Sequence, residues 1–351
     1  MTESLAPGFA EREAFVSIAE DYATLRERAA CIDRSARLRL LFSGSKARDT
    51  LNGLITNDVG SLADGSGIYA AALTAKGKII TDLRVFARSD DFLVDAPAAG
   101  AFALLTMFRK YVNPRMARFA DVSAVLRTIG VFGPHSANVV TAATGAERGQ
   151  LLLLGPYHHL RVASEWGDVV IARVPDLGGE GFDLFVPVEH AAEWWTRITD
   201  AGASPVGTAA TEIARVEAGR PLIGTDMDEN TLAQEADFDA LHGISYTKGC
   251  YTGQETVARV HFRGHVNRQL RGVRGTGPLV IGAPLLREDG ESVGVVGSVA
   301  ASPRYGSIAL AIVRREVETG AELRAGPLAG ETSDAGDAPE TRVRVVELPF
   351  V

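Results

Sequence analysis

The sequence contains few of the residues on which metal centres and covalent cross-links depend. Its 351 residues include only two cysteines, Cys31 and Cys250. They could form one disulfide, but two free thiols are the better expectation for a cytosolic chain. A conventional iron–sulfur cluster takes about four thiolates, which two cysteines in one chain cannot supply. The same shortage excludes a zinc site built mainly from thiolates, and we predict no metal site.

Long apolar segments and targeting signals are also missing. No run of about 18 apolar residues occurs, so we expect no membrane span. The N-terminus has neither a basic region followed by an apolar stretch nor an Arg-rich amphipathic leader, which predicts a cytoplasmic location. The net charge is −8, so the chain as a whole does not attract nucleic acid, and no direct nucleic-acid partner is expected.

Apolar spacing predicts helices and strands that alternate irregularly through most of the chain. A helix is predicted over residues 10–30, where Phe15 and Ile18 belong to a helical pattern. Strands are predicted over 78–86 and 151–162. Irregular alternation of this kind favours an α+β fold over a regular doubly wound sheet.

The sequence changes character from Gln269 onward. Short apolar runs separated by Gly and Pro predict a small antiparallel β-barrel or sandwich. Residues 329–341, rich in Gly, Ala, Asp, Glu and Thr, predict a mobile loop. Chain length and these changes together predict two α+β domains and a C-terminal barrel, over 10–123, 124–262 and 266–351.

The segment with the strongest chemical signal is 248–255, Lys-Gly-Cys-Tyr-Thr-Gly-Gln-Glu. Its glycines permit tight turns or close approach of a ligand. Lys248 favours the thiolate of nearby Cys250, and a helix predicted from Gln254 would add its positive N-terminal end. These are the conditions of a reactive cysteine. The alternative is a small buried side chain, because free cysteines are usually buried and inert.

Charged residues lie on both sides of this segment. Upstream, Glu217 ends a predicted helix, where a carboxylate is electrostatically disfavoured, so it needs either Arg220 or a ligand as partner. One carboxylate can accept hydrogen bonds from an amine and a neighbouring ring N–H together, as at a pterin edge. Downstream lies a basic run that either binds an anion such as RNA phosphate or is a solvated face between domains: Arg259, His261, Arg263, His265, Arg268 and Arg271.

Residues 248–255 resemble the K-G-C-Y-x-G-Q-E signature of YgfZ-type proteins, and Val-Ala-Arg at 257–259 extends it. Glu-Ala-Gly at 217–219, followed by Pro221, resembles the same family's flanking pattern. The wider chain is similar to the glycine-cleavage T protein, an aminomethyltransferase that uses tetrahydrofolate. That similarity covers nearly the whole chain, through the segments 32–35, 54–59, 65–69, 302–303 and 308–310.

The resemblance implies a three-lobed ring around a central folate pocket, with a barrel as its last lobe. It implies that Glu217 holds the pterin and that Asp82 positions the reactive nitrogens of the folate. Thr81 stands where T proteins carry a second acid. The implied chemistry rests on Cys250, Lys248 and Asp82. The other implied folate contacts are Arg220, Tyr251, Gln254 and Arg259, and the basic run would face the folate's polyglutamate tail.

The function that the resemblance implies is that of a folate-binding accessory factor rather than a classical enzyme. Such a factor would support assembly or repair of Fe–S enzymes, including tRNA-modifying ones, with Cys250 as its functional thiol. The first alternative is a tetrahydrofolate-dependent aminomethyltransferase or demethylase of the T-protein class. The second is a non-catalytic scaffold with a vestigial folate pocket. The expected partners are folate and Fe–S assembly proteins or their client enzymes, and the chain is expected to be a monomer.

Overall fold

The computed structural model describes residues 17–327 and 341–350. These residues group into two compact units, each discontinuous in sequence. The first unit takes residues 17–72, 81–211 and 243–251. The second unit takes 73–80, 212–242 and the described residues from 252 onward. The three predicted domains, which are continuous segments, stay a prediction.

Most of the first unit consists of two sheets and the helices packed on them. Its helices are α1 (Ile18–Glu27), α2 (Ala47–Asn52), α3 (Ala98–Tyr111), α4 (Ser136–Thr144), α5 (Arg148–Leu153) and α6 (Ala191–Asp200). Its strands are β1 (Ala30–Asp33), β2 (Leu38–Ser43), β3 (Gly67–Leu73), β4 (Ile79–Ala87), β5 (Asp91–Ala96), β6 (Arg118–Asp121), β7 (Leu126–Phe132), β8 (His159–Ser164), β9 (Gly167–Arg173), β10 (Gly181–Pro187) and β11 (Ser204–Pro205).

Each of the two sheets has an apolar core on its helix side, and the sheets also meet where Phe86 of β4 lies edge to face with Phe185 of β10 at 5.4 Å. One sheet has the order β3-β4-β5-β2-β6, and Phe42 of β2 meets Phe108 of α3 edge to face at 5.5 Å. The other has the order β11-β1-β7-β10-β9-β8. Helices α4 and α6 cover that second sheet, and Trp194 and Ile198 of α6 are fully buried against it. Burying a large apolar side chain stabilises the fold by roughly 1.5–3 kcal/mol, so these two cores hold the unit together.

The second unit is dominated by a closed antiparallel barrel. Its helices are α7 (Thr208–Glu217), from residue 212 onward, and α8 (Gln254–Arg263). The barrel strands are β12 (Arg268–Gly275), β13 (Pro284–Leu286), β14 (Ser292–Ser302), β15 (Gly306–Arg314), β16 (Glu322–Ala325) and β17 (Thr341–Val346). They close in the order β12-β15-β14-β13-β16-β17, because β17 pairs back onto β12. Closure leaves no sheet edge unpaired.

The α+β class and the C-terminal barrel are confirmed, but one predicted strand is wrong. Over 151–162 the chain first completes α5, and β8 begins only at His159. Leu151 is buried while Leu153 is 87% exposed, so the leucine run follows the one-sided burial of a surface helix.

Two other predictions reach beyond the described residues. In the helix predicted over 10–30, residues 10–16, including Phe15, lie outside them, and α1 ends at Glu27 before β1 begins. The loop predicted over 329–341 also lies outside, except for Thr341, the first residue of β17. Within residues 17–327 and 341–350, no helix combines the length and apolar composition needed to cross a membrane.

Candidate functional site

Lys248 anchors the start of the cysteine loop in the first unit. Its Nζ donates hydrogen bonds to the backbone oxygens of Asn52, Ile55 and Asn57, at 2.5, 2.9 and 2.7 Å. An ammonium has three N–H groups, so these carbonyls occupy all of its donors. Lys248 therefore fixes the loop and has no further N–H for the thiol of Cys250.

The charge of Lys248 is also set by this environment. Burial lowers the pKa of Lys248 to about 8, and the nearby carboxylate of Asp58 opposes that shift. Three carbonyl acceptors favour the charged form as well. The side chain is consequently protonated at neutral pH and loses its proton in mildly alkaline solution.

Cys250 is the exposed member of this loop. Its thiol is free, whereas Cys31 on β1 is buried. On one side of Cys250, a Cβ at Gly249 would meet nothing within 4 Å. On the other side, Tyr251 is buried, and its ring centroid lies 5.0 Å from Nζ of Lys248. Half-buried Lys248 and buried Tyr251 thus hold a short segment that presents the thiol to solvent.

The second glycine of the signature has a structural role of its own, in the second unit. Gly253 precedes α8 with φ +85°, in the left-handed region that favours glycine. A Cβ there would lie 2.7 Å from the backbone oxygen of Thr74. Opposite, Gly77 has φ +77°, and its Cβ would lie 2.6 Å from Cβ of Thr256. The turn at 74–77 therefore packs directly on the beginning of α8.

Asp82 of β4 is buried in the first unit and only partly satisfied. Its side chain is hydrogen-bonded to the side chain of Tyr69 on β3. Oδ1 accepts no hydrogen bond from a described residue. Burial raises the pKa of this carboxyl, Asp176 adds to the rise, and Arg37 and Tyr69 oppose it. Asp82 is thus a buried acceptor with an open position and a raised proton affinity.

Thr81, which stands where the T-protein pattern has a second acid, packs against helix α3. Its side chain is fully buried, and a Cβ on Gly100 of α3 would lie 2.0 Å from its Oγ1. Neighbouring residues of a strand point to opposite faces, so Asp82 faces away from α3. Position 81 therefore packs against a helix, and the carboxyl at 82 is the one available on the other face.

Beside Asp82 lies a buried ionic network that the sequence analysis missed. Arg84, 1% exposed, contacts three aspartates: Asp95 at 2.5 Å, Asp183 at 2.7 Å and Asp176 at 3.2 Å. Arg37 contacts Asp95 at 2.5 Å. In the sequence, the signal for this network was Arg84 itself, a single arginine within the apolar strand segment Leu-Arg-Val-Phe-Ala. Because lone buried charges are expensive, such a residue needs carboxylate partners.

Glu217 ends α7 and is buried within the second unit. It is 2% exposed, and its Oε1 accepts a hydrogen bond from Oγ of Ser302 at 2.5 Å. Its backbone oxygen accepts from the backbone N–H of Phe350 at 2.9 Å. Ser302 is therefore a partner of Glu217 that the sequence did not suggest. The two partners that the sequence did suggest, Arg220 or a ligand, stay a prediction.

A second buried carboxylate in this unit is structural, and the sequence analysis missed it too. Asp226 accepts from the backbone N–H groups of Leu222 and Ser298 at 2.8 and 2.7 Å, and from Oγ of Ser298 at 2.7 Å. Arg215 lies 3.3 Å away. A Cβ on Gly297 would lie 2.3 Å from Asp226. The carboxylate is fully used in pinning β14 to the segment that follows α7.

The predicted site residues divide between the two units. Lys248, Cys250 and Tyr251 share one loop of the first unit, and Asp82 lies on β4. The members in the second unit are Glu217, Arg220, Gln254 and Arg259. Among the described residues, no group of three or more His, Cys, Asp or Glu side chains is arranged to hold a metal ion.

Comparison with known proteins assigns the chain to a family. The GCVT N-terminal domain matches residues 4–244, more than half of the chain. This chain belongs to that family. The aminomethyltransferase of Rubrobacter xylanophilus is 30% identical over 342 residues, which is 96% of this chain and 87% of the relative. The aminomethyltransferase of Ralstonia pickettii is 30% identical over 354 residues, covering 95% and 88%.

A solved structure agrees with the fold of this GCVT-family chain. The glycine cleavage system aminomethyltransferase T from Bartonella henselae superposes with a TM-score of 0.83 at 23% identity, over 95% of this chain and 90% of that one. The predicted likeness to the T-protein fold is confirmed. Membership of the YgfZ-type subgroup, which rests on residues 248–255, stays a prediction.

Proposed function

We propose that this chain binds tetrahydrofolate and acts in the one-carbon chemistry of the T-protein class. The observation that carries the proposal is Asp82, a buried carboxyl with a raised pKa and an unoccupied acceptor position at Oδ1. Relatives bearing the name aminomethyltransferase align with almost the whole chain, which supports the same class. The first alternative, a tetrahydrofolate-dependent enzyme of the T-protein class, thus has more support than the Fe–S accessory role that the signature implied.

Asp82 would act on the nitrogens of the folate. A buried carboxyl of raised pKa binds a proton more readily than an ordinary aspartate, so it can hold a proton from an N–H group or return it. Tyr69 orients the carboxyl through its hydrogen bond, and Oδ1 remains for the ligand. Thr81 contributes no acid, so one carboxyl would perform the proton transfer.

Glu217 would bind the pterin edge. A carboxylate accepts two parallel N–H bonds from an amine and a neighbouring ring nitrogen. The bond from Ser302 to Oε1 holds the side chain in place, because burial leaves it little other freedom. Asp226, the other buried acid described above in the second unit, is fully used by protein donors and has no role toward a ligand.

Titration tests the binding, and turnover tests the chemistry. Tetrahydrofolate is titrated calorimetrically against the wild type, Glu217→Gln and Glu288→Gln, the last an exposed control in the same unit. We expect about tenfold weaker binding for Glu217→Gln only, since charge-assisted bonds contribute about 1.5–3 kcal/mol. An aminomethylated thiol, whose one-carbon unit is already at the oxidation level of formaldehyde, and tetrahydrofolate should then give 5,10-methylene-tetrahydrofolate, ammonia and the free thiol with the wild type, and little of them with Asp82→Asn. No binding by the wild type would disprove the proposal.

A second candidate is favoured by Cys250, which the folate chemistry does not use. This exposed free thiol lies in a segment held by Lys248 and Tyr251, an arrangement that presents it to solvent. It suits the accessory role implied by the YgfZ-type signature, in which folate binding supports assembly or repair of Fe–S enzymes, including tRNA-modifying ones. Two cysteines hold no conventional cluster, so the thiol would act transiently or with a partner protein.

Complementation distinguishes this candidate from the first. In a deletion strain, Cys250→Ala should fail to restore Fe–S enzyme activity, while Cys31→Ala controls for loss of a thiol elsewhere. Full restoration by Cys250→Ala excludes a thiol role. Intact complementation by a chain with no measurable folate affinity would instead indicate a scaffold with a vestigial pocket.

A further inference from the structure

A polar surface cavity lies in the second unit, where β12 begins and β15 ends. Its volume is about 590 Å³, which is within the range of roughly 300–1,000 Å³ for small-molecule sites. The charged residues that line it are His265, Arg268, Arg314, Arg315, Glu316 and Glu318. They do not include Asp82 or Glu217, although His265 and Arg268 belong to the basic run that the resemblance places at the folate's polyglutamate tail.

Two of the arginines that line the cavity lie side by side on adjacent barrel strands, where their like charges repel each other. Arg268 and Arg314 are direct partners across the β12–β15 ladder. Like charges directly opposite each other destabilise a sheet. Glu235 contacts Arg268 at 3.1 Å and Glu291 contacts Arg314 at 2.5 Å, but neither glutamate lines the cavity. Arg268 also donates from Nη2 to the backbone oxygen of Asn230, so both arginines line the cavity while their carboxylate partners lie outside its lining.

A third arginine has less compensation still. The backbone N–H of Arg315 donates to the backbone oxygen of Asn267 at 2.9 Å, which fixes the chain beside the cavity. Its exposed guanidinium forms no ion pair with any residue that the structure describes. Of the two lining glutamates, Glu316 lies 3.8 Å from Arg314. Three guanidinium groups therefore share the cavity with two carboxylates, in a chain whose net charge is −8.

We propose that this cavity binds the phosphate group of a small phosphorylated molecule. A planar guanidinium donates two parallel hydrogen bonds to a phosphate, and paired arginines on one sheet face suit its several oxygens. Bound phosphate would relieve the repulsion between Arg268 and Arg314. Glu316 and Glu318 would accept bonds from hydroxyl or amino groups elsewhere on the same molecule.

A polynucleotide has the same phosphate chemistry but would be expected to use a different surface. Helix α8 presents Arg259 and Arg263, four residues apart and exposed, and Phe262 between them is 68% exposed. Exposed aromatics beside arginines are typical of single-stranded RNA binding. The cavity lies beyond the end of α8. Variants in the cavity and variants on α8 therefore distinguish binding of a small phosphorylated molecule from binding of RNA.

Calorimetry tests the cavity directly, with pyrophosphate, adenosine triphosphate and a short single-stranded RNA as probes. Arg315→Gln removes the unpaired arginine, and Arg342→Gln removes an exposed arginine from β17 as the matched control. We expect pyrophosphate or the triphosphate to bind the wild type and Arg342→Gln equally. Binding to Arg315→Gln should be about tenfold weaker, the effect of losing charge-assisted bonds.

A second variant should bind more tightly than the wild type, a result that misfolding cannot produce. Glu318→Gln removes a lining carboxylate that repels an anion. Because solvent screens a charge at the surface, pyrophosphate binding should tighten by only about two- to fivefold. Equal weakening in Arg315→Gln and Arg342→Gln, or no binding to the wild type, would overturn the proposal. So would tighter binding of RNA that is lost in Arg259→Gln and Arg263→Gln but retained in Arg315→Gln.

Discussion

Gly253 lies so close to Thr74 that a side chain at position 253 has no room. A Cβ there would be 2.7 Å from the backbone oxygen of Thr74, and the φ of +85° adds conformational strain for any other residue. Gly253→Ala should therefore lower the free energy of unfolding by about 2 kcal/mol or more, since such φ values alone cost of order 1–3 kcal/mol. Urea unfolding measures the change.

Gly249 is the matched control from the same signature. Its Cβ would meet nothing within 4 Å, and its φ is not in the left-handed region. Gly249→Ala should leave stability within about 0.5 kcal/mol of the wild type. Equal losses in the two variants would show that packing does not explain the glycine at 253.

Lys248→Met should loosen the cysteine loop without changing the distant core. The variant removes three hydrogen bonds from a charged donor, and we expect faster reaction of Cys250 with a thiol reagent and weaker amide protection over 248–251. Lys46→Met, which breaks only an exposed contact with Asp49, is the control. Unchanged reactivity and protection in Lys248→Met would refute the anchoring role.

Asp82→Asn should stabilise the protein at neutral pH while impairing its activity. The folded-state pKa of Asp82 is raised, so the folded state binds more protons than the unfolded state above the ordinary value of 3.8. The stability contributed by Asp82 therefore falls as pH rises through that window. Asparagine removes this penalty, and each kcal/mol regained raises Tm by roughly 2–4 °C.

The measurement for Asp82→Asn is the difference in Tm from the wild type across pH. The difference should be largest near pH 7 and vanish where aspartate is protonated in both states. A variant that is less stable at pH 7 would mean that the bonds from Tyr69 and the charge of Arg37 outweigh burial.

His159 should make the protein acid-sensitive. Burial lowers the pKa of His159 from 6.5 to about 4, so the folded state stays neutral where the unfolded state takes up a proton. Stability from this residue is complete above pH 6.5 and is lost as pH falls toward 4, by about 3 kcal/mol. Urea midpoints for His159→Gln should lack this part of the slope, whereas the exposed His158→Gln should keep it.

The sequence allowed the fold to be predicted where each residue's neighbours lie close in the chain. The spacing of short apolar runs identified most strands of the barrel, and the signature identified a thiol that is exposed. Over 151–162 the same reasoning failed, because four consecutive leucines fit a strand or a helix and only the burial of Leu151 against distant strands decides.

The candidate site was predictable in its residue types and not in its supporting contacts. Asp82 and Glu217 were found by resemblance, but their partners Tyr69 and Ser302 are 13 and 85 residues away in sequence. Lys248 illustrates the limit. Its position two residues before Cys250 suggested activation of the thiol, whereas its three hydrogen bonds go to a segment about 190 residues earlier.

Arg84→Met should be strongly destabilising, because it leaves buried aspartates without their cation. Asp95 and Asp183 have no exposed side-chain surface, and Arg84 is within 2.7 Å of both. Breaking one side of a buried ion pair costs about 3–5 kcal/mol. Urea unfolding at pH 7 should show a loss of that size, while Arg88→Met, which breaks a half-buried contact with Asp91, should cost less than about 1 kcal/mol. If Arg84→Met lost as little as Arg88→Met, Arg37 and Arg34 would suffice to compensate the aspartates, and Arg84 would not be the centre of the network.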